Sequence, residues 1–127
     1  MNAYMITFSK DSPRLNNYIK TRDSFLPYLK KFEAINTINN YSDWKNHALN
    51  NNFCTTKYTS SETDSTPGKL GCNLSYLKLF SEIASSTPDH AWNLIIEDDI
   101  KIDENFEPFL QELLKTLSGN DTEYVSI

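Results

Sequence analysis

Three adjacent carboxylates, Glu97-Asp98-Asp99, are the residues of this sequence whose types and spacing best suit chemistry. They follow directly after Leu94-Ile95-Ile96, an apolar run typical of a strand buried on both faces. Adjacent carboxylates repel one another, and a divalent cation would relieve that repulsion; such oxygen ligands suit Mg²⁺ or Mn²⁺. The cation could bridge to a diphosphate and stabilise it as a leaving group. If the strand continues, Glu97 and Asp99 point to one side and Asp98 to the other.

The same acidic triplet also has a simpler interpretation. A solvated turn is the more frequent reason for such a run, and Asp103 and Glu104 could equally favour the N-terminus of a following helix. The triplet alone is therefore weak evidence for a metal site.

The elements that must position the triplet alternate between strand and helix patterns, which predicts one α/β domain over residues 1–127 with a mostly parallel sheet. In such sheets ligands bind at the carboxyl ends of the strands. The predicted strands are 4–8, 31–38, 91–96 and 123–127; the predicted helices are 13–26, 41–49, 66–84 and 104–117; residues 50–67 form a polar loop.

Apolar residues at helical spacing support the last two helices, and Gly119 is a natural stop after the fourth. They are Leu70, Leu74, Leu77 and Phe80 or Ser81 in the third helix, and an inward face of Phe109, Leu110, Leu113, Leu114 and Leu117 in the fourth.

Composition narrows the class of protein. The formal net charge of -5 argues against broad attraction to nucleic acid or anionic lipid. No stretch approaches the roughly 20 apolar residues of a membrane helix, and the N-terminus lacks the pattern of a signal peptide. Cys54 and Cys72 lack metal-binding spacing, so we expect free thiols in a reducing compartment and a cytoplasmic protein.

A second segment gives the triplet its context. Two stretches together resemble glycosyltransferase family 25, the lipopolysaccharide-type transferases. They are the helix start Gly68-Lys69-Leu70-Gly71-Cys72 with its continuation Asn73-Leu74-Ser75-Tyr76-Leu77-Lys78, and the later segment 94–100. The strand 4–8 and Ser12-Pro13-Arg14 loosely resemble the family's first strand and its Ser-x-Arg turn. The resemblance covers nearly the whole chain, is specific in the helix and the acidic motif, and is vague between residues 39 and 66.

The resemblance implies a Rossmann-like nucleotide-diphospho-sugar transferase fold of the GT-A type. It implies that Asp99 is the main metal ligand and that Glu97 is a second ligand or a sugar contact. Asp98 would meet the ribose or a backbone amide.

Four further residues receive roles from the resemblance. Gly68 and Gly71 would let the backbone pass close to the donor, or pack the helix against the sheet. Ser75 would contact the donor sugar, with a hydrogen bond to a backbone carbonyl as the alternative. Arg14 would neutralise a phosphate, with a solvated position in the first helical turn as the alternative.

The activity that the resemblance implies is metal-dependent hexosyl transfer. Galactose or glucose would pass from a nucleotide sugar such as UDP-hexose to a lipopolysaccharide-type glycan acceptor, with Mn²⁺ or Mg²⁺ as the cofactor. No catalytic base is identified. A truncated or inactive relative that only binds nucleotide sugar, and a small α/β interaction module whose acidic turn is solvated, stay open as alternatives.

Two departures from the family pattern bear on this hypothesis. Tyr76 stands where the family usually has His, and a tyrosine can hydrogen bond but does not act as a base near neutral pH. Family members are also longer, so the chain resembles an N-terminal half; such a half would expose a sheet edge unless a partner or a dimer covers it, and whether the chain is complete or truncated stays open. Peripheral membrane association stays open.

Overall fold

A three-stranded parallel sheet lies at the centre of the computed structural model, which describes residues 1–55, 62–63, 66–86, 88, 91–118 and 125–127. The strands are β1 (Asn2–Thr7), β2 (Leu29–Glu33) and β3 (Asn93–Glu97). The helices of the described residues are α1 (Ser12–Ser24), α2 (Tyr41–Asn50), α3 (Thr66–Ser86) and α4 (Phe106–Leu117).

The strand order is β2-β1-β3, and both neighbours run parallel to β1. Met5 of β1 lies opposite Lys31 on one side and Ile96 on the other. The carboxyl ends of all three strands therefore meet at one edge of the sheet. The predicted α/β class and parallel sheet are confirmed.

Helices cover both faces of this sheet. On one face, Met5, Leu29 and Ile96 form a buried cluster with Tyr18 of α1, and Phe106 of α4 packs against it. On the other face, the buried cluster consists of Ile6, Phe32 and Leu79 of α3. A third cluster joins α2 to the start of α3 through Ala48, Leu70 and Leu74. The sheet therefore forms the middle layer of three, between α1 with α4 on one face and α3 on the other.

The second strand ends earlier than the sequence predicts. The predicted range was 31–38, but β2 ends at Glu33. Its partner β1 ends at Thr7, whose carbonyl accepts a last hydrogen bond from Ala34 N. Beyond that point residues 35–38 have no strand to pair with, and they cross over the start of α3 instead.

Burial at β3 also differs from the prediction. Only Ile96 of its five residues is buried, because β3 is an outer strand of the described sheet and not a central one. Leu77 and Phe80 of α3 are 41% and 49% exposed, and Phe109 of α4, predicted to face inward, is 50% exposed. Helical spacing identifies residues on one face, but not whether a neighbour covers that face.

The predicted last strand is not observed where the structure describes it. Residues 125–127 are not in a strand, while 123–124 and the predicted helix stop Gly119 lie outside the described residues. Within the ranges that the structure describes, no helix has the length and apolar character needed to cross a membrane.

Candidate functional site

A cleft of about 580 Å³ opens at the carboxyl ends of the strands. Its walls come from the turn after β1, the segment after β2, the first turns of α3 and the end of β3. The seven residues predicted from the sequence all line this cleft: Arg14, Gly68, Gly71, Ser75, Glu97, Asp98 and Asp99. The parallel topology brings them together from positions far apart in the chain.

Asp98 is the buried member of the acidic triplet, at 6% exposure. Its Oδ1 accepts a hydrogen bond from Arg14 Nη1 at 3.1 Å, and its Oδ2 lies 3.4 Å from the backbone N of Phe8, which donates to it. Asn17 Nδ2 donates to the carbonyls of Asp98 and Ile100, at 2.9 and 3.0 Å. Asp98 therefore meets a backbone amide and links the acidic turn to β1 and α1, while its contact with a ribose stays a prediction.

Arg14 lies in the first turn of α1, where Asp11 is the N-cap residue. Asp11 Oδ1 accepts the Arg14 backbone N–H at 3.2 Å, and its Oδ2 lies 3.6 Å from Arg14 Nε. The Arg14 side chain is 51% exposed, so it lines the cleft while it is paired with Asp98. Arg14 is therefore both half-exposed and paired, and its neutralisation of a phosphate stays a prediction.

Lys10 also lines the cleft, and the sequence interpretation did not single it out. It is exposed and lies in the turn that follows β1. A cation directly after a parallel strand is at the end where ligands bind, so the strand assignment was the signal that could have identified it.

Glu97 faces α3, and the charge of Asp99 acts on Cys72 of the same helix. Glu97 Oε1 accepts a hydrogen bond from Tyr76 Oη at 2.9 Å, and Cys72 Sγ lies 3.7 Å from the same oxygen. Burial, followed by the negative charges of Glu97 and Asp99, raises the pKa of the Cys72 thiol. Among the described residues, neither carboxylate forms an ion pair with a lysine or arginine. This wall of the cleft is therefore negative.

Ser75 and Gly71 serve the packing of α3 against the segment after β2. Ser75 is fully buried; its Oγ donates to the Gly71 carbonyl at 2.6 Å and accepts the Ile35 N–H at 2.9 Å. A Cβ added at Gly71 would lie 2.7 Å from the Ile35 carbonyl oxygen. The geometry thus matches the packing alternative for Gly71 and the backbone-carbonyl alternative for Ser75. Gly68 is exposed, with no atom within 4 Å of an added Cβ, so close approach of a donor there stays a prediction.

The segment after β2 forms a wall that the sequence interpretation had assigned to a strand. Thr37 is buried, and its hydroxyl donates to the Pro67 carbonyl at the start of α3. Ile35 and Ile38 line the cleft, and Ile38 is 67% exposed. An apolar strip therefore runs beside the charged residues.

The donor set fits a divalent ion only in part. In the described part of the chain, no group of three or more His, Cys, Asp or Glu side chains is arranged to hold a metal. Asp98 is hydrogen-bonded to Arg14, so Glu97 and Asp99 are the members of the acidic triplet that could bind an ion. Mg²⁺ is commonly bound by one or two carboxylates together with substrate phosphates and water. Two carboxylates therefore fit an ion whose coordination is completed by a substrate, and their role as ligands stays a prediction.

Comparison with known families decides the class of protein. The sequence matches, over residues 1–127, the model described as glycosyltransferase family 25 (LPS biosynthesis protein). The chain belongs to glycosyltransferase family 25. Comparison with curated proteins and with solved structures gives no match. The resemblance seen in the α3 start and the acidic motif is thereby confirmed.

Membership of family 25 indicates a glycosyltransferase of lipopolysaccharide biosynthesis. Such an enzyme uses a nucleotide-sugar donor and an acceptor. The cleft at the strand ends is where an α/β sheet binds its ligands, so the family activity and the geometry point to the same region.

Proposed function

We propose that this chain is a metal-dependent hexosyltransferase domain of the GT-A type. It would transfer galactose or glucose from a UDP-hexose donor to a lipopolysaccharide-type glycan acceptor. The observation that carries the proposal is the division of charge in the cleft, where Lys10 and Arg14 line one side and Glu97 and Asp99 the other.

The charge of the cleft is the argument for a metal ion. Among the described residues, two cationic side chains and four carboxylates line it, and two of those carboxylates, Asp11 and Asp98, lie against Arg14. Carboxylates are therefore in excess, and a diphosphate entering the cleft would meet net repulsion. A divalent ion at Glu97 and Asp99 would reverse that repulsion, so the proposal requires nucleotide binding to depend on the metal.

Each wall of the cleft would hold a different part of the donor. Glu97 and Asp99 would bind Mn²⁺ or Mg²⁺, which when bound supplies positive charge to the diphosphate leaving group. Lys10 and the exposed part of Arg14 would attract the phosphates, and Ile35 and Ile38 offer an apolar surface to the nucleoside. Gly68 would permit close approach of the donor to the backbone.

We infer a cytoplasmic location because Cys54 and Cys72 are free thiols.

A partner or a second copy would cover the outer edge of β3. Among the described residues that line the cleft there is no histidine, and the domain's part in the transfer step would be to position the acceptor hydroxyl.

Release of UDP from UDP-galactose or UDP-glucose tests the activity. We expect release with Mn²⁺, none with a chelator, and none in Asp99→Ala. Thermal unfolding with UDP and Mn²⁺ separates the alternatives. Stabilisation without UDP release would favour a relative that only binds nucleotide, and no stabilisation would favour an interaction module.

A further inference from the structure

We infer that Tyr76 is a positioning residue that orients Glu97 for metal binding. Tyr76 Oη donates to Glu97 Oε1 at 2.9 Å. The inference rests on the proposed function, and it gives a role to the residue at which this chain departs from the family pattern. Tyr76 would act on the metal through Glu97 and would not be a metal ligand itself.

The ring of Tyr76 is held firmly enough to act in this way. Tyr76 is half-buried and packs against the cluster of Ile6, Phe32 and Leu79 on the α3 face of the sheet. Its ring lies at 5.8 Å from the Phe80 ring, measured between centroids. A hydroxyl on a ring fixed by the core offers a donor whose position does not follow side-chain motion at the surface.

The hydrogen bond divides the two oxygens of Glu97 between two tasks. Oε1 accepts from Tyr76 and also lies near the Cys72 thiol, whereas Oε2 makes no hydrogen bond with any described residue. A fixed Oε1 restrains the rotation of the carboxylate, so Oε2 keeps one direction. A ligand oriented beforehand loses less conformational freedom when the ion binds.

Tyr76 and Glu97 also lie at the boundary between the cleft and a second groove. Tyr76 and Glu97 line both the cleft and a neighbouring groove of about 930 Å³, which runs beside β3 and is lined mainly by apolar residues such as Leu77 and Leu113. Without the hydrogen bond, the Glu97 side chain could turn toward solvent over the groove and away from Asp99. The tyrosine therefore keeps the carboxylate on the cleft side.

Manganese affinity tests this inference without any measurement of activity. We would titrate Mn²⁺ into the protein in the presence of UDP and count free Mn²⁺ by electron paramagnetic resonance. Tyr76→Phe keeps the ring and removes the hydroxyl, and we expect its Kd for Mn²⁺ to rise about 10- to 100-fold, as for other residues that orient a metal ligand.

Tyr28→Phe is the matched control. Tyr28 is also half-buried and its hydroxyl also donates to a glutamate, Glu107 Oε2 at 2.6 Å, but neither residue lines the cleft. This variant should leave Mn²⁺ affinity within about two-fold of the parent, since metal ligands and their supports are untouched.

A double mutant shows whether Tyr76 acts through Glu97. Adding Tyr76→Phe to Glu97→Gln should change Mn²⁺ affinity by less than about two-fold, because the carboxylate that the tyrosine orients is already gone. A full additional loss would mean that Tyr76 acts by another route, and the inference would be wrong.

The outcomes separate the inference from the proposed function. If the parent protein binds no Mn²⁺ with UDP, the proposed function fails. If the parent binds Mn²⁺ and Tyr76→Phe binds it equally well, the inference alone is overturned. Circular dichroism checks that each variant is folded, and an unfolded Tyr76→Phe would assign Tyr76 to the fold and would also overturn the inference.

Discussion

Replacing Gly71 by alanine tests how α3 forms a wall of the cleft. The new Cβ would lie 2.7 Å from the Ile35 carbonyl oxygen and 3.1 Å from Thr37 Oγ1. The nearer contact is with backbone, which cannot rotate away as a flexible side chain does. The segment after β2 must therefore move, or α3 must tilt away from it.

Two opposing effects set the magnitude of the change. Alanine in a helix is favoured over glycine by about 1 kcal/mol, while forced overpacking costs about 1–3 kcal/mol. Movement of Ile35 would also stretch the hydrogen bond that its N–H donates to Ser75. We therefore expect Gly71→Ala to lower the free energy of unfolding by about 1 kcal/mol.

Gly68→Ala is the control in the same helix, because a Cβ at Gly68 meets no atom within 4 Å. This substitution keeps the propensity gain without the clash and should stabilise the protein by about 0.5–1 kcal/mol. The two variants would then differ by about 2 kcal/mol, or about 7 °C in Tm for a domain of this size. Thermal unfolding followed by circular dichroism measures the difference. If Gly71→Ala melts at or above the temperature of Gly68→Ala, the close packing of α3 on Ile35 is refuted.

Three further predictions concern the residues around the cleft. Ser75→Ala should lower the free energy of unfolding by about 1–3 kcal/mol, because it leaves the Ile35 N–H without its partner. Ser85→Ala, at an exposed position of the same helix, should change that free energy by less than about 0.5 kcal/mol. Equal effects of the two substitutions in urea titrations would contradict the packing role of Ser75. Asp98→Asn should cost about 1 kcal/mol in the same titrations, since Arg14 is half exposed and solvent screens its ion pair, and no loss would remove the role of Asp98 in fixing the turn. Glu97→Gln removes a negative charge that raises the pKa of Cys72. In a Cys54→Ser background, the pH profile of Cys72 alkylation by iodoacetamide should therefore move to lower pH. An unmoved profile would refute the effect of Glu97 on Cys72.

The sequence predicted the class of the fold better than it predicted where the strands end and which helical residues are exposed. Alternating patterns were enough for the parallel α/β arrangement, because periodicity reflects local geometry. The end of β2 depended on where its neighbour β1 stops, a fact that lies outside the segment itself. The exposure of Leu77 and Phe109 likewise depended on whether another part of the protein covers them, which spacing within a helix does not encode.

The location of the candidate site was predictable from local patterns, but the pairing of its side chains was not. The carboxylates were found because they directly follow an apolar strand, and the topology rule places such residues at a ligand-binding edge. The pairing of Asp98 with Arg14 joins residues 84 positions apart, and the bond from Tyr76 to Glu97 spans 21 positions. No local pattern indicates which of three adjacent carboxylates turns inward to an arginine and which is held by a tyrosine.

The measurement that tests the central claim most directly is the affinity for UDP with and without Mn²⁺, determined by isothermal titration calorimetry. Because carboxylates outnumber cations among the described residues of the cleft, the account predicts that Mn²⁺ strengthens UDP binding by about ten-fold or more, a usual size for coupling between two ligands. Asp99→Ala should abolish that gain while the protein stays folded. Equal UDP affinity with Mn²⁺ and with a chelator, or an undiminished gain in Asp99→Ala, would contradict the account.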